Sequence, residues 1–119
     1  MTTKNYSGFD GIISSVLTGL SDIQKEFDKY QNAKFTAKSP EFFCLELNGE
    51  AGELANIEKK QWKGKHIPAD RFADEAADVL IALMNYSNAR GVNLATAVAE
   101  KLQKIENKRI ELEEIGESY

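Results

Sequence analysis

The stretch SPEFFCLELNGEAGELANIEKKQW, Ser39 to Trp62, predicts a long helix and with it the fold class. Ser39 and Pro40 are the residue types that typically stand just before a helix and at its first position. Apolar residues then recur at steps of three and four, which is the period of one helical face. These inner positions are Phe43, Leu47, Ala51, Leu54 and Ile57/Glu58. The helix is expected to end near Trp62, at a length of roughly 34 Å.

Three further segments carry the same three- and four-residue stepping, and no segment shows a convincing strand pattern. The helices are expected at about Phe9–Tyr30, Asp70–Arg90 and Leu94–Ile115, with Gly91 as a stop and Asn93 as a cap. Their apolar positions are Ile12, Ile13, Val16, Leu17, Leu20, Ile23 and Phe27; Phe72, Ala76, Val79, Leu80, Leu83 and Tyr86; and Leu94, Ala97, Val98, Leu102, Ile105 and Leu112. QNAKFTAKSP and KGKHIPAD are expected as polar connections. The sequence therefore predicts an all-α protomer resembling a four-helix bundle.

Two glycines interrupt the second predicted helix at GEAGE, Gly49 to Glu53. Each costs roughly 1 kcal/mol relative to alanine in a helix interior. A glycine lets a ligand or a neighbouring backbone approach closely, because it has no side chain. Gly52 is therefore expected either to border a ligand or to permit tight helix packing.

Charge and composition restrict the classes of partner. The chain has 119 residues, a net charge of −4 and a pI near 5.1, which argues against binding nucleic acid or an anionic membrane by bulk charge. No apolar run approaches the roughly 20 residues of a membrane span. A single cysteine, Cys44, allows no disulfide within the chain, as is common in reducing compartments. We expect a cytoplasmic protein with no membrane or nucleic-acid partner.

Carboxylates recur at helical spacing on two consecutive predicted helices. Glu46, Glu50 and Glu53 are spaced by four and three residues, and Glu75 and Asp78 by three, so each set shares one helical face. If the two helices are antiparallel neighbours, the sets face each other. Converging carboxylates repel one another, and oxygen ligands suit Mg²⁺ or Mn²⁺. For either pair alone, a solvated helix face is the alternative interpretation.

The segments LNGEAGELANIEKK, DEAADVLIAL and KLQKIENKR together resemble the MazG-like nucleotide pyrophosphohydrolases, an all-α family. The family pattern is Glu-Glu-x-x-Glu on one helix and Glu-x-x-Asp on the next. Glu50 and Glu53 match the last two positions of the first group, Glu75 and Asp78 match the second group, and Gly49 replaces the first glutamate. The resemblance covers roughly residues 42–109. The chain length suits one domain, so a single MazG-like helical domain is expected over residues 1–119, with frayed ends at 1–8 and 116–119.

The resemblance implies hydrolysis of a nucleoside triphosphate between the α and β phosphates, yielding a monophosphate and pyrophosphate. Mg²⁺, or Mn²⁺, would be bound by Glu50, Glu53, Glu75 and Asp78. The candidate catalytic residues are Glu50, Glu53 and Glu46, and which of them is the general base stays open. The resemblance further implies a homodimer or homotetramer, and the expected role is house-cleaning of the nucleotide pool.

A triphosphate also requires cations, because carboxylates alone would repel it. Lysines follow the first motif at positions 59, 60, 63 and 65, and basic residues recur on the last helix at 101, 104, 108 and 109. Within the family pattern, the expected substrate contacts are Lys104, Asn107, Lys108 and Arg109, with Trp62 and Lys63 as further candidates. The alternative for these lysines is simple solvation of the surface, and Trp62 has packing as its alternative role.

Two other functions stay open. Because Gly49 replaces the first glutamate of the motif, a non-catalytic helical interaction module is one alternative. A phosphoribosyl-ATP pyrophosphatase resembles this group in motif and chemistry.

Overall fold

The computed structural model describes residues 8–119, and every regular element in that range is helical. The elements are α1 (Phe9–Ser15), a π-helical turn (Val16–Leu20), α2 (Ser21–Lys34), α3 (Pro40–Trp62), α4 (Ala69–Arg90) and α5 (Leu94–Glu114). The all-α prediction is thus confirmed for these residues. Of the predicted frayed ends, residues 1–7 lie outside the described range, and 116–119 follow the end of α5.

The first predicted helix differs from its expected form. Instead of one α-helix to about Tyr30, a π-helical turn separates α1 from α2, and α2 continues to Lys34. The predicted connection was thus too long, since neither glycine nor proline occurs between Tyr30 and Pro40 to stop the helix. Within this extension Asn32 Nδ2 donates a hydrogen bond to Asp28 Oδ1 one turn earlier, at 3.2 Å.

The predicted helix boundaries at Ser39, Gly91 and Asn93 are confirmed. Ser39 Oγ accepts a hydrogen bond from the backbone N–H of Phe42 at 3.2 Å, and Asn93 Oδ1 accepts one from that of Thr96 at 3.1 Å. Gly91 adopts a φ of +77°, the left-handed conformation that ends many helices and favours glycine. Local capping chemistry therefore fixes the start of α3 and the connection from α4 to α5.

The chain divides into two compact units. One combines the N-terminal segment up to Lys25 with Asn93–Tyr119, and the other is Glu26–Val92. In the first unit α5 packs against the π-helical turn, and the buried Gln24 side chain accepts a hydrogen bond from the N–H of Leu94 at 2.9 Å.

In the second unit α3 and α4 pack against each other as an antiparallel pair. The ion pair between Arg90, at the end of α4, and Glu41, at the start of α3, spans 3.8 Å and reflects this orientation. The prediction of a single domain over residues 1–119 is not tested by this division. Both predicted acidic groups lie in the second unit.

The inner face of α3 differs from the prediction at one position. Ala51 is exposed, as is Glu58, and Glu50 occupies the inward position instead. The inward residues are Phe43, Leu47, Glu50, Leu54 and Ile57. Residues seven apart return to within about 20° of the same face at 100° per residue. Glu50 lies midway between Phe43 and Ile57 and therefore shares their face.

The inner face of α4 also includes a carboxylate. Ala76 and Leu80, predicted as inward, are exposed, and Glu75 is half-buried. It lies on a stripe with steps of three and four: Phe72, Glu75, Val79, Ala82 and Tyr86. On α5, similarly, the predicted Ala97 and Ile105 are exposed, whereas Ala95 and Ala99 are buried.

Candidate metal centre

Three carboxylates converge where α3 and α4 pack against each other. Glu50 of α3 and Glu75 and Asp78 of α4 each contribute one oxygen, and these oxygens lie within 4.8 Å of one another. Glu75 and Asp78 are three residues apart and therefore project from one face of α4. The arrangement follows from an acidic residue at an interior position on each of two antiparallel helices.

Two oxygens of this cluster lack the partners that buried polar atoms normally have. Oε2 of Glu50 and Oε2 of Glu75 are shielded from water and have no hydrogen-bond partner within residues 8–119. The side chain of Glu75 is only 12% exposed. Such an oxygen is unfavourable in an apolar surrounding unless a cation or a donor satisfies it. Carboxylate oxygens are the donors that Mg²⁺ and Mn²⁺ prefer, so the residues fit the expected cation.

Burial and repulsion both act on Glu50. Burial raises the pKa of its carboxyl above the ordinary value, and the charges of Asp78, Glu53, Glu75 and Glu46 raise that pKa further, in that order. Glu50 therefore binds a proton more tightly in the folded chain than in the unfolded chain.

The same causes act on Glu75. Burial is the largest cause that raises the pKa of the Glu75 carboxyl. The charge of Glu53 raises this pKa further, as does a hydrogen bond that protonated Glu75 donates to Glu53. The charge of Asp78 acts in the same direction. Arg71 opposes them, since its Nη2 lies 3.9 Å from Glu75 Oε1. One half-exposed guanidinium does not compensate the cluster, which therefore favours binding of a cation or a proton.

The remaining predicted acidic residues lie at the margin of the cluster. Glu53 is exposed and adjoins Glu75, and Glu46 is exposed and acts electrostatically on Glu50. Of the four predicted metal ligands, the structure thus groups three closely and places Glu53 at their solvent side. The roles of Glu53 and Glu46 in catalysis stay predictions.

The predicted substrate residues of the last helix lie on α5, in the other unit. Arg109 is engaged within its own helix, because Nε donates to Glu106 Oε1 at 2.5 Å and Nη1 to Glu113 Oε2 at 2.7 Å. Asn107 accepts a hydrogen bond from Gln103 at 2.9 Å, and Lys108 lies 3.9 Å from Glu111. Lys104 is exposed. Substrate binding by these four residues stays a prediction.

The end of α3 presents an exposed aromatic and basic group. Trp62 is 86% exposed, and Lys63, the residue after α3, is exposed as well. Lys60 lies seven residues beyond Glu53, so it shares that face of α3 about 10 Å away. The sequence analysis named Lys60 only as one of several lysines after the first motif. Its spacing of seven residues from Glu53 is the signal that could have distinguished it from the others.

The two glycines of α3 border open space. A methyl group placed on Gly49 or on Gly52 would meet no heavy atom within 4 Å. Tight packing within the described chain is therefore wrong as an explanation of Gly52. Gly49 lies three residues after Glu46 and four before Glu53, so the open surface adjoins these carboxylates.

Gly52→Ala is accordingly expected to raise the free energy of unfolding by up to about 1 kcal/mol, because alanine is the better helix former and the methyl group meets no obstacle. Turnover is expected to fall if phosphate approaches beside Gly52. Chemical denaturation measures the first effect and pyrophosphate release the second. Gly91→Ala is the matched control and should destabilise, because Gly91 has a φ of +77°. A less stable Gly52→Ala protein with unchanged turnover per folded molecule would contradict this interpretation.

Comparisons with known proteins found no match to any family model, curated protein or solved structure. The resemblance to MazG-like enzymes therefore rests on the motifs alone and stays a prediction. Within residues 8–119, no helix combines the length and the apolarity that a membrane span requires.

Proposed function

We propose that this chain is a Mg²⁺-dependent nucleoside triphosphate pyrophosphohydrolase. It would convert a ribo- or deoxyribonucleoside triphosphate to the monophosphate and pyrophosphate, as a cytoplasmic house-cleaning enzyme of the nucleotide pool. The observation that carries the proposal is the pair of shielded, unpartnered oxygens of Glu50 and Glu75 beside Asp78. Such a group is costly for folding, and a divalent cation accounts for it.

The open margin of the cluster favours a substrate-binding centre over a purely structural one. Glu50, Glu75 and Asp78 would hold the cation, with Glu53 beside them on the exposed side. A bound divalent cation offsets phosphate charge and lowers the pKa of an attacking water. The open surface at Gly49 leaves room for a phosphate to reach the carboxylates without displacing a side chain.

The chain's own residues would supply the proton acceptor and the remaining positive charge. Glu53 and Glu46 are exposed beside the cluster, within reach of water, and are the candidates to accept its proton. Lys60 lies further along α3 and Lys63 directly follows its end, and both would bind the phosphate oxygens that extend from the centre. Exposed lysines adapt to such a role, since the ammonium group sits on a flexible stem.

The proposal is tested with a panel of ribo- and deoxyribonucleoside triphosphates and phosphoribosyl-ATP, each assayed with Mg²⁺ for pyrophosphate and for the monophosphate. Release of pyrophosphate from nucleoside triphosphates supports the proposal. Turnover of phosphoribosyl-ATP alone would favour the related pyrophosphatase. Absence of turnover with both Mg²⁺ and Mn²⁺ would favour the non-catalytic module.

We further propose that the active protein is a homodimer or homotetramer. Large apolar side chains remain exposed by 39–74%: Ile12, Leu17, Leu45, Leu80 and Ile81. Exposed apolar surface of this kind is typical of interfaces. Light scattering at micromolar concentration is expected to give a mass of two or four 13.3 kDa chains. A stable monomer under these conditions would contradict the proposal.

A further inference from the structure

The turn between α3 and α4 presents an exposed group of basic residues around an aromatic one. Between Glu58 and Asp70 the chain has four lysines and no carboxylate: Lys59, Lys60, Lys63 and Lys65. None of these lysines forms an ion pair with a carboxylate of residues 8–119. Trp62, the only tryptophan of the chain, lies among them and is 86% exposed. The turn thus offers positive charge and apolar surface to a partner.

Two of the four lysines have no role at the proposed metal centre. Lys60 and Lys63 are the ones proposed to bind phosphate, which leaves Lys59 and Lys65. Lys59 follows Glu50 by nine residues, which is half a turn out of phase at 100° per residue, so it points away from the carboxylate cluster. Trp62 is three residues further along and shares the outward side of Lys59. We call Lys59, Trp62 and Lys65 the basic turn.

Backbone hydrogen bonds hold the basic turn in a defined conformation. Gly64 has a φ of +98°, and its N–H donates to the carbonyl of Gln61 at 3.0 Å. The N–H of Lys65 donates to the carbonyl of Lys60, also at 3.0 Å, which completes a glycine-dependent helix end. Gln61 Oε1 accepts a hydrogen bond from the N–H of the buried Ile67 at 2.8 Å. An ordered turn loses little conformational freedom when it binds a partner.

The end of α5 presents the opposite charge. Four carboxylates and no cation follow Arg109 in the sequence: Glu111, Glu113, Glu114 and Glu117. The C-terminal end of a helix carries partial negative charge, so carboxylates without a cation in the last turn are unfavourable for α5 itself. Glu111 and Ile115 are four residues apart and share one side, and Ile115 is 66% exposed. Tyr119 is 74% exposed. We call Glu111, Ile115, Glu117 and Tyr119 the acidic end.

The acidic end is ordered in the same way as the basic turn, and its charge is open. Gly116 has a φ of +77°, and the N–H of Glu117 donates to the carbonyl of Leu112 at 2.8 Å. Glu117 forms no ion pair within residues 8–119. Glu111 lies 3.9 Å from Lys108, and this pair contributes little because both side chains are exposed. Both carboxylates can therefore bind lysines of a partner.

We propose that the basic turn of one copy of this chain binds the acidic end of a second copy. A two-fold axis makes the contact twice, so each copy uses both of its charged surfaces. Trp62 packs against Ile115 and Tyr119, and two lysine–glutamate pairs surround them, which is the apolar centre and polar rim of a typical interface. The inference locates one interface of the proposed oligomer and does not depend on catalysis.

Charge reversal on each surface tests the proposal by sedimentation. The turn variant carries Lys59→Glu with Lys65→Glu, and the end variant carries Glu111→Lys with Glu117→Lys. Each variant alone should self-associate with a Kd raised by roughly 100-fold, because like charges then face each other in both contacts. An equimolar mixture of the two variants should assemble as the wild type does, since opposite charges face each other again in both contacts.

The mixture decides between a contact within one chain and a contact between copies, because only the second kind is restored by another chain. Lys25→Glu with Lys34→Glu, at two exposed positions of α2, is the matched control and should assemble as the wild type does. A monomeric wild type, variants that assemble unchanged, or variants that mixing does not restore would each overturn the proposal. Unchanged assembly together with pyrophosphate release would overturn this interface and leave the proposed activity standing.

Fluorescence of Trp62 provides a second measurement that needs no variant, and it decides if a variant fails to fold. Because Trp62 is the only tryptophan, all tryptophan emission reports its surroundings. Dilution of the wild type should move the emission to longer wavelength as Trp62 becomes exposed to water. In 1 M salt, where charges act over only about 3 Å, the same shift should occur at higher protein concentration. Emission that stays constant while sedimentation shows dissociation would overturn the proposal.

Discussion

Glu50→Gln is expected to lower Mg²⁺-supported pyrophosphate release by on the order of a thousandfold, with helix content unchanged. Glutamine keeps the volume and the helix propensity of glutamate. It removes one negative charge from the group formed with Glu75 and Asp78, whose oxygens lie within 4.8 Å of one another. Asp78→Asn should have an effect of the same order, because it removes an equivalent ligand from the opposite helix.

Thermal melting with and without Mg²⁺ provides a readout that does not depend on turnover. A ligand that binds the folded state raises the melting temperature, so Mg²⁺ should stabilise the wild type and have little effect on either variant. Glu58→Gln is the matched control, since Glu58 is exposed on α3 and lies on a different face from Glu50. If Mg²⁺ stabilises Glu50→Gln as much as the wild type, Glu50 is not a ligand.

Helix boundaries were predictable wherever local chemistry determines them. Ser39 and Asn93 each bond a backbone N–H three residues later, and Gly91 supplies a left-handed residue, so neighbouring residues alone specify these ends. The extension of α2 to Lys34 has no such signal. The helix continues past Tyr30 because neither glycine nor proline occurs before Pro40 to stop it.

The sequence predicted which carboxylates form the acidic cluster, but it did not predict that Glu50 and Glu75 occupy inward positions. Spacing alone indicated that Glu50, Glu75 and Asp78 could meet, because three- and four-residue steps define a helical face. The apolar pattern favoured Ala51 as the inward residue, whereas the structure places Glu50 there. A hydrophobicity pattern assigns carboxylates to the surface, and it therefore misses those that occupy interior positions for a function.

A cavity of about 190 Å³ lies beside Asn85, and it had no counterpart in the sequence analysis. Its walls come from α2, α3 and α4, so residues as distant as Asp28 and Ala89 share it. No motif or period relates these positions. The one local indication was an asparagine within the stretch from Ala82 to Ser87, which is otherwise largely apolar.

Glu75→Leu is expected to raise the melting temperature of the metal-free protein by several degrees at pH 7. Glu75 lies on the inner face between Phe72 and Val79, and its Oε2 has no partner within residues 8–119. Leucine is apolar at a position where the carboxylate is shielded from water. The ion pair that is lost, with Arg71 at 3.9 Å, contributes little because Arg71 is half-exposed.

The pH dependence of stability identifies the cause of this effect. The pKa values of Glu50 and Glu75 are raised from the ordinary 4.5, so both groups hold their protons more tightly when folded. Their contribution to stability is fully present below pH 4.5 and is lost as the pH rises through the raised pKa values. The pKa values of Glu41 and Glu106 are lowered instead, so the stability that these two groups contribute is lost as the pH falls below 4.5.

Denaturant titrations in chelator, from pH 4.5 towards neutrality, should therefore show the wild type losing stability and Glu75→Leu losing less. With Mg²⁺ the wild-type trend should reverse, because the cation binds only ionised carboxylates, and the variant should not respond. Glu114→Leu, at the exposed end of α5, controls for the general effect of adding leucine. If Glu75→Leu has the wild-type pH dependence, shielded Glu75 is not the source of the instability. The cluster would then be an ordinary solvated group, and its main support for binding a metal would be lost.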